Sequence, residues 1–298
     1  KMQLDDYNIQ YTLGTLVTES TKTGGGSVYT GARYPKADKP DLFIMGDSIA
    51  AEYNPSYAPL AGWSAPLRGM FSDDINYVNT ALSGHRTSYY FEGSESRNWP
   101  VTYRFMRRCF GEGDYILLML GPNESDMELF AENLRLIAND ALYCGATLVL
   151  VTPTVYATYN PITNTGYTYA RLMKSVAEEV PGTKLIDLNA KLFEIYSNMD
   201  IDEVRERYFV GTKRGAPAEN PDYGHNVEEG AELIASLIRG LISESDLGLK
   251  NYLNAQDEKE ITSFGVEADG KIFFGNMAGS NIFVDVPVKQ AITADTYK

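Results

Sequence analysis

The chain has 298 residues, room for one large domain or a medium domain with small additions. Apolar residues make up 44% of it, ordinary for a globular protein with a real core, and no stretch approaches the roughly 18 consecutive apolar residues of a membrane span. With 26 basic and 40 acidic residues the net charge is −14, which repels phosphate backbones and anionic lipid heads and argues against nucleic-acid and membrane partners.

In chain order, residues 1–38 read as an N-terminal extension, with a strand pattern over Ile9–Val17 and a loop over Thr21–Gly26. Beyond Pro35 and Pro40 strands and helices alternate, the signature of a parallel α/β sheet. Five apolar runs are the predicted strands: Leu42–Met45, Ile75–Val78, Tyr115–Leu120, Thr147–Val151 and Lys184–Ile186. The third and fourth are almost continuously apolar, as strands covered on both faces should be. Two segments carry one-faced helical periodicity, Met127–Tyr143 and Glu229–Ile242. The α/β pattern fills 39–247. From 248 to 298 it gives way to short strand patterns at Ile261–Glu267, Lys271–Phe274 and Asn281–Val286. That tail resembles the opening strands of immunoglobulin-like modules of bacterial surface proteins; a sheet edge belonging to the main domain is the other reading.

Two cysteines, Cys109 and Cys144, are neither a disulfide framework nor a metal set. Each precedes a predicted strand, so a single disulfide and two buried thiols both stay open. The 21 tyrosines include Tyr156, Tyr159, Tyr167 and Tyr169 in loop-like segments. Tyrosine faces suit sugar rings, though packing explains such residues as well. No targeting segment is visible; a chain opening at Lys1-Met2 is also what a trimmed precursor leaves.

In an open parallel sheet, ligands bind at the carboxyl ends of the strands. After the first strand comes Gly46-Asp47-Ser48, where a serine on a strand-to-helix turn would stand exposed beside a helix N-terminus; a helix cap is the alternative. The second strand leads into Asn79–Ser88, in which Gly84 can turn a backbone N–H into the crevice. The third ends in Gly121-Pro122-Asn123-Glu124, where the Asn123 amide can donate into the same crevice or brace a capping box of Ser125 and Glu128. Near the end of the α/β region, Asp222-Tyr223-Gly224-His225 puts a carboxylate three residues ahead of an imidazole. On a short loop, the carboxylate can fold back to one ring nitrogen and leave the other as a base.

Taken jointly and in this order, the four blocks resemble the SGNH (GDSL-like) hydrolase superfamily: Ser48 in GDS, Gly84, Asn123 in GxN and His225 in DxxH. Within it the chain looks like the rhamnogalacturonan acetylesterase-like branch, through GDSIAAEY at 46–53, Gly62-Trp63, NTALSGHRTSYYFEG at 79–93, Gly113-Asp114, Val151-Thr152-Pro153 and Gly230-Ala231. The likeness covers about residues 40–245. It implies a three-layer α/β/α sandwich on a five-stranded, flavodoxin-like parallel sheet. It implies a serine esterase that removes O-acetyl groups from plant cell-wall polysaccharide, pectin, rhamnogalacturonan or hemicellulose, without metal or organic cofactor. Ser48 would be the nucleophile, His225 the base and Asp222 its orienting acid. The Ser48 and Gly84 N–H groups and the Asn123 side chain would form the oxyanion hole. His85, Arg86 and Trp63 are candidate substrate contacts, Arg86 for a uronate carboxylate. The likeness also implies a secreted or cell-surface bacterial enzyme, part of a larger multidomain chain.

Two positions depart from the branch, which shows His-Asn-Asp where this chain has Pro122-Asn123-Glu124. Two other functions fit the same motifs: a catalytically silent carbohydrate-binding module, and a lipase or thioesterase. The loops are rich in Tyr, Asn, Thr and Gly rather than in the apolar side chains of a lipid entrance.

Overall fold

The computed structural model describes residues 38–91 and 107–255, and the backbone of 263–266, 272–275 and 281–284. The strand expected over Ile9–Val17, the Thr21–Gly26 loop and the end of the 79–93 block lie outside the described residues.

Five strands form one parallel sheet: β1 (Asp41–Gly46), β2 (Asn76–Asn79), β3 (Tyr115–Met119), β4 (Thr147–Val151) and β5 (Lys184–Ile186), in the order β2-β1-β3-β4-β5. The order reverses beside β1, with β2 on one side of it and β3 on the other, and the crevice at such a switch point is where an open α/β sheet binds ligands. Pairing fixes the register, with Phe43 beside Val78 on one side and Ile116 on the other.

The three central strands, β1, β3 and β4, bury both of their faces. Leu42, Ile44, Leu117, Met119, Val149 and Val151 point into one layer; Phe43, Met45, Ile116, Leu118, Leu148 and Leu150 point into the other. The second layer is closed by α3 (Met127–Cys144) and α4 (Tyr167–Glu179), through Phe130, Leu134, Ile137, Met173 and Val176. The first is closed by α1 (Ser64–Arg68), α5 (Leu188–Ser197), α6 (Ile201–Tyr208) and α7 (Glu228–Glu244), through Leu67, Leu192, Val204, Ile234 and Ile238. A short α2 spans Ser88–Phe91. Each large aliphatic side chain buried here contributes roughly 1.5–3 kcal/mol before entropy is subtracted.

The two helices read from periodicity are α3 and α7. The cap of α3 differs from expectation: Asp126, not Ser125, receives the orphan N–H, from Leu129 at 3.0 Å. Helices α4, α5 and α6 go beyond the pattern reading. Two of them announce themselves by aspartate caps, Asp187 accepting from Ala190 and Asp200 from Asp202 and Glu203.

Beyond β5 the chain adds a two-stranded antiparallel ribbon, β6 (Phe209–Gly211) and β7 (Asp222–Asn226). The tail forms an antiparallel sheet of its own, β8 (Ser263–Val266), β9 (Ile272–Gly275) and β10 (Asn281–Val284), in the order β10-β9-β8. Cys109 and Cys144 are both thiols, and the Cys144 thiol donates to the Arg107 carbonyl at 3.7 Å.

Candidate active site

The site begins where β1 ends. The Asp47 carbonyl accepts from Ala50 N at 3.1 Å and Ala51 N at 3.0 Å, wrapping the chain into a tight turn with Ser48 at its apex. The helix expected after Ser48 is absent; residues 48–50 make a single turn, so no helix N-terminus supports the serine. One reason lies in Gly62. Its Cα is pressed onto the Ala50–Ala51 backbone, and this close approach fixes the segment behind Ser48. Trp63 follows, and its N–H donates to the Ile49 carbonyl at 3.0 Å. The Trp63 side chain is fully buried in the core, so it cannot line the cleft as expected.

His225 comes from the opposite direction in sequence. The Asp222–His225 segment is not the short loop expected but strand β7, with Asp222 opposite Gly211 and Asn226 opposite Phe209. Asn226 also bridges to Ala61, which brings the ribbon against the segment after Ser48. As a result His225 Nε2 lies 2.8 Å from Ser48 Oγ, across 177 residues of chain. On the other side of the ring, His225 Nδ1 is 2.9 Å from Asp222 Oδ2. Asp222 Oδ1 accepts from the backbone N–H of Gly224 at 3.1 Å and of His225 at 3.0 Å. With the Nδ1 proton held by the carboxylate, Nε2 is the acceptor for the serine hydroxyl; this tautomer is inferred from the hydrogen-bond network.

The charges are tuned by these contacts. The hydrogen bond to Asp222 raises the His225 pKa; burial and the Arg214 charge pull the other way, and the Asp222 and Asp47 charges add to the rise. Burial pushes the Asp222 carboxyl up, but the hydrogen bonds from the His225 ring and backbone outweigh it and leave it below the usual range. Asp47 is buried, and desolvation pushes it up to about 6 despite its bond from Ile49 N and the nearby His225.

Two further loops converge on Ser48. Gly84, exposed and at φ 74°, sits in the turn after β2. That turn is tied to the serine by Tyr53, whose Oη donates to the Ser48 carbonyl at 2.8 Å and lies 3.0 Å from Ser83 Oγ. Asn123 reaches across from the end of β3. Its Nδ2 donates to the His85 carbonyl at 3.0 Å and to Asp47 Oδ2 at 3.3 Å. Asn123 thus joins the Ser48 turn to the Gly84 loop.

The remaining candidates are placed less favourably. His85 is only 2% exposed and packs against Tyr89, out of reach of a substrate in the crevice. Arg86 is half-buried with its guanidinium over the Tyr89 ring at 4.4 Å, and its charge partly offsets the burial that raises the Glu124 pKa. The residues that sequence reading missed are Asp47, Tyr53 and Glu124, which hold these loops. Tyr53 lies inside the GDSIAAEY block, and Glu124 was legible only as a departure from the branch.

Beside the site lies a cavity of about 820 Å³ lined by Tyr53, Pro59, Lys213, Val227 and Glu229 among others; Ser48 and His225 are not in its lining. Among the described residues no cluster of three or more His, Cys, Asp and Glu side chains could hold a metal ion, and no helix is long and apolar enough to cross a membrane.

No protein-family model matches the chain. The rhamnogalacturonan acetylesterase RhgT of Bacillus subtilis (strain 168) is 29% identical over 235 residues, covering 74% of this chain and 96% of that protein. The chain resembles the SGNH hydrolases of the rhamnogalacturonan acetylesterase-like branch. Its fold is theirs. Among solved structures, the protein YXIM from Bacillus subtilis superposes with a TM-score of 0.58 at 22% identity, over 70% of this chain. The match spans 57% of that protein's length.

Proposed function

We propose that the chain is a serine esterase that removes O-acetyl groups from a plant cell-wall polysaccharide, pectin or rhamnogalacturonan before hemicellulose. The observation that carries this reading is the unbroken line from Asp222 through His225 to Ser48 Oγ, with both hydrogen bonds under 3 Å. A hydroxyl bonded to an imidazole, itself oriented by a carboxylate, is the arrangement of an activated nucleophile. The substrate class rests on the likeness to a protein named for rhamnogalacturonan.

In the proposed reaction Ser48 Oγ attacks the acetyl carbonyl carbon while His225 Nε2 takes its proton. Asp222 holds the ring and stabilises the imidazolium. Negative charge gathers on the former carbonyl oxygen, which receives hydrogen bonds from the Ser48 and Gly84 backbone N–H groups and from Asn123 Nδ2. The longer of the two Asn123 contacts, to Asp47, is the one an oxyanion would take over. The tetrahedral species collapses, the C–O bond to the sugar breaks, and the imidazolium proton passes to the sugar oxygen. Water then enters, gives its proton to His225 and attacks the acetyl-serine carbonyl; acetate leaves and Ser48 recovers its proton. No step in this sequence requires a metal or an organic cofactor. A secreted or cell-surface location, within a longer multidomain chain, is part of the same proposal.

The test is acetate release from acetylated pectin, rhamnogalacturonan and xylan, with Ser48→Ala as control. Release by the parent and none by the variant is expected. A parent that binds these polymers without releasing acetate would instead be the carbohydrate-binding module, and preference for long-chain acyl esters would make it a lipase.

A further inference from the structure

The ribbon that delivers Asp222 and His225 carries a second feature on the stretch between its two strands. Arg214 is exposed there, and its guanidinium lies 5.2 Å from the centre of the Tyr57 ring. Tyr57 is itself 45% exposed and leans on Tyr53 with ring centres 5.7 Å apart. Tyr53 in turn donates to the Ser48 carbonyl. A continuous path therefore runs from the nucleophile over two tyrosine rings to a cation at the mouth of the site. The Arg214 charge is felt at both ends of that path, by His225 and by Tyr53.

The neighbouring cations are already occupied. Lys213 Nζ donates to the Phe209 and Glu206 carbonyls, Arg205 to those of Ala157 and Thr158, and Arg207 faces Glu229. Arg68 pairs with Glu52. Among the described residues Arg214 pairs with no carboxylate. In a chain of net charge −14, an exposed guanidinium linked to Ser48 through two tyrosine rings is a local reversal of sign. Laid on an aromatic face, a guanidinium keeps its N–H edge free for a planar, two-pronged acceptor, which a carboxylate supplies and a neutral hydroxyl does not.

We propose that Arg214, resting on Tyr57, is a subsite for the carboxylate of an acidic sugar, and that it directs the enzyme to acetyl groups on uronate-containing chains. This rests on the esterase reading of Ser48 and adds its specificity. It also moves the carboxylate partner from Arg86, half-buried over the Tyr89 ring, to an exposed residue on the His225 ribbon.

The experiment compares acetate release from acetylated galacturonate oligosaccharides and acetylated xylo-oligosaccharides by the parent, Arg214→Ala, Arg214→Glu and Arg214→Lys. The selectivity for acidic over neutral substrate, as a ratio of kcat/KM values, should fall about tenfold in Arg214→Ala, mainly through KM, consistent with losing a charge-assisted hydrogen-bonded pair. It should fall further in Arg214→Glu, while Arg214→Lys keeps only part of it because an ammonium lacks the fork. Free galacturonate should inhibit the parent more strongly than Arg214→Ala. A ratio unchanged in Arg214→Ala and Arg214→Glu, or a parent with no preference for acidic substrate, overturns the subsite and leaves the esterase standing. Absence of acetate release from either substrate by the parent, or its persistence in Ser48→Ala, overturns the esterase reading itself. Melting curves of each variant separate these outcomes from misfolding.

Discussion

Glu124 Oε1 accepts the backbone N–H of Thr87 at 2.5 Å, so one buried carboxylate ties the loop of Gly84 to the loop of Asn123. Thr87 continues the tie into α3, where Asn133 Nδ2 donates to its hydroxyl at 3.1 Å. Two of the three proposed oxyanion donors sit on these loops, and their spacing depends on this contact. Glu124 is thus a structural joint between the two loops.

Cutting that joint should lower turnover more than binding. Glu124→Ala leaves a buried N–H without its acceptor, a loss of about 1–3 kcal/mol, and should reduce kcat by about 10- to 100-fold with little change in KM. Glu124→Gln keeps an acceptor oxygen and should recover most of the activity. Steady-state kinetics decide the matter; equal kcat in all three proteins would show that the loops hold their spacing without Glu124.

Breaking the proposed triad should act on chemistry alone. Ser48→Ala and His225→Ala should each remove measurable acetyl ester hydrolysis, and Asp222→Asn should lower kcat on the order of 10⁴-fold by favouring the wrong imidazole tautomer. None fills the core, so melting temperatures measured above the His225 pKa should stay near that of the parent. Turnover close to the parent's in His225→Ala would remove it from the reaction.

The pH profile should carry the mark of Asp222. His225 serves as a base only when neutral, so kcat/KM rises with pH through the His225 pKa. The bond to Asp222 holds that pKa above its ordinary value, so the midpoint of the acid limb belongs above about 6.5. Because the folded pKa exceeds the unfolded one, protonated His225 contributes stability that is fully present below about pH 6.5 and is lost as pH rises through the folded value. In Asp222→Asn the acid limb of the residual activity should move to lower pH. A limb that stays in place would mean that another group controls it.

Asp47 contributes with the same sign, over a lower pH window. Its folded pKa of about 6 stands above the unfolded value near 3.9, so the native state binds the extra proton and this group favours folding at low pH. As pH climbs from about 4 to about 6 that contribution is lost, on the order of 3 kcal/mol in all. Asp47→Asn should therefore gain stability relative to the parent across this window. Melting curves at several pH values check it, and parallel pH dependences for the two proteins would show that Asp47 titrates normally.

Gly62 should tolerate no side chain. A Cβ there would collide with the Ala51 carbonyl oxygen and come within 2.9 Å of Ala51 N, both backbone atoms that cannot swing aside. Gly62→Ala should lower stability by about 1–3 kcal/mol through overpacking and disturb the Ser48 turn. Thermal denaturation tests the first effect and acetyl ester hydrolysis the second.

The five strands, the two strongest helices and the order of the motif blocks were legible in the chain itself, because burial on both sheet faces forces apolar runs and burial on one helix face forces a 3.6-residue period. Helices α4 to α6 were not read, being shorter than α3 and α7, although Ala170, Met173 and Val176 of α4 lie on one buried face. Ser48 and Asn123 could be picked from sequence as post-strand positions and His225 as the partner of Asp222 ahead of a helix, but no local rule could say that 177 residues of chain would close to a 2.8 Å contact. That was decided by the ribbon β6–β7 pairing against the segment after Ser48. Nor could sequence sort the accessory residues. Trp63 and His85 look like cleft residues until packing buries them, and Arg86 and Arg214 carry the same charge until the fold half-buries the first over Tyr89 and leaves the second exposed. Whether a side chain is buried, paired or open to a substrate is a property of what surrounds it in space, and only the folded chain supplies those surroundings.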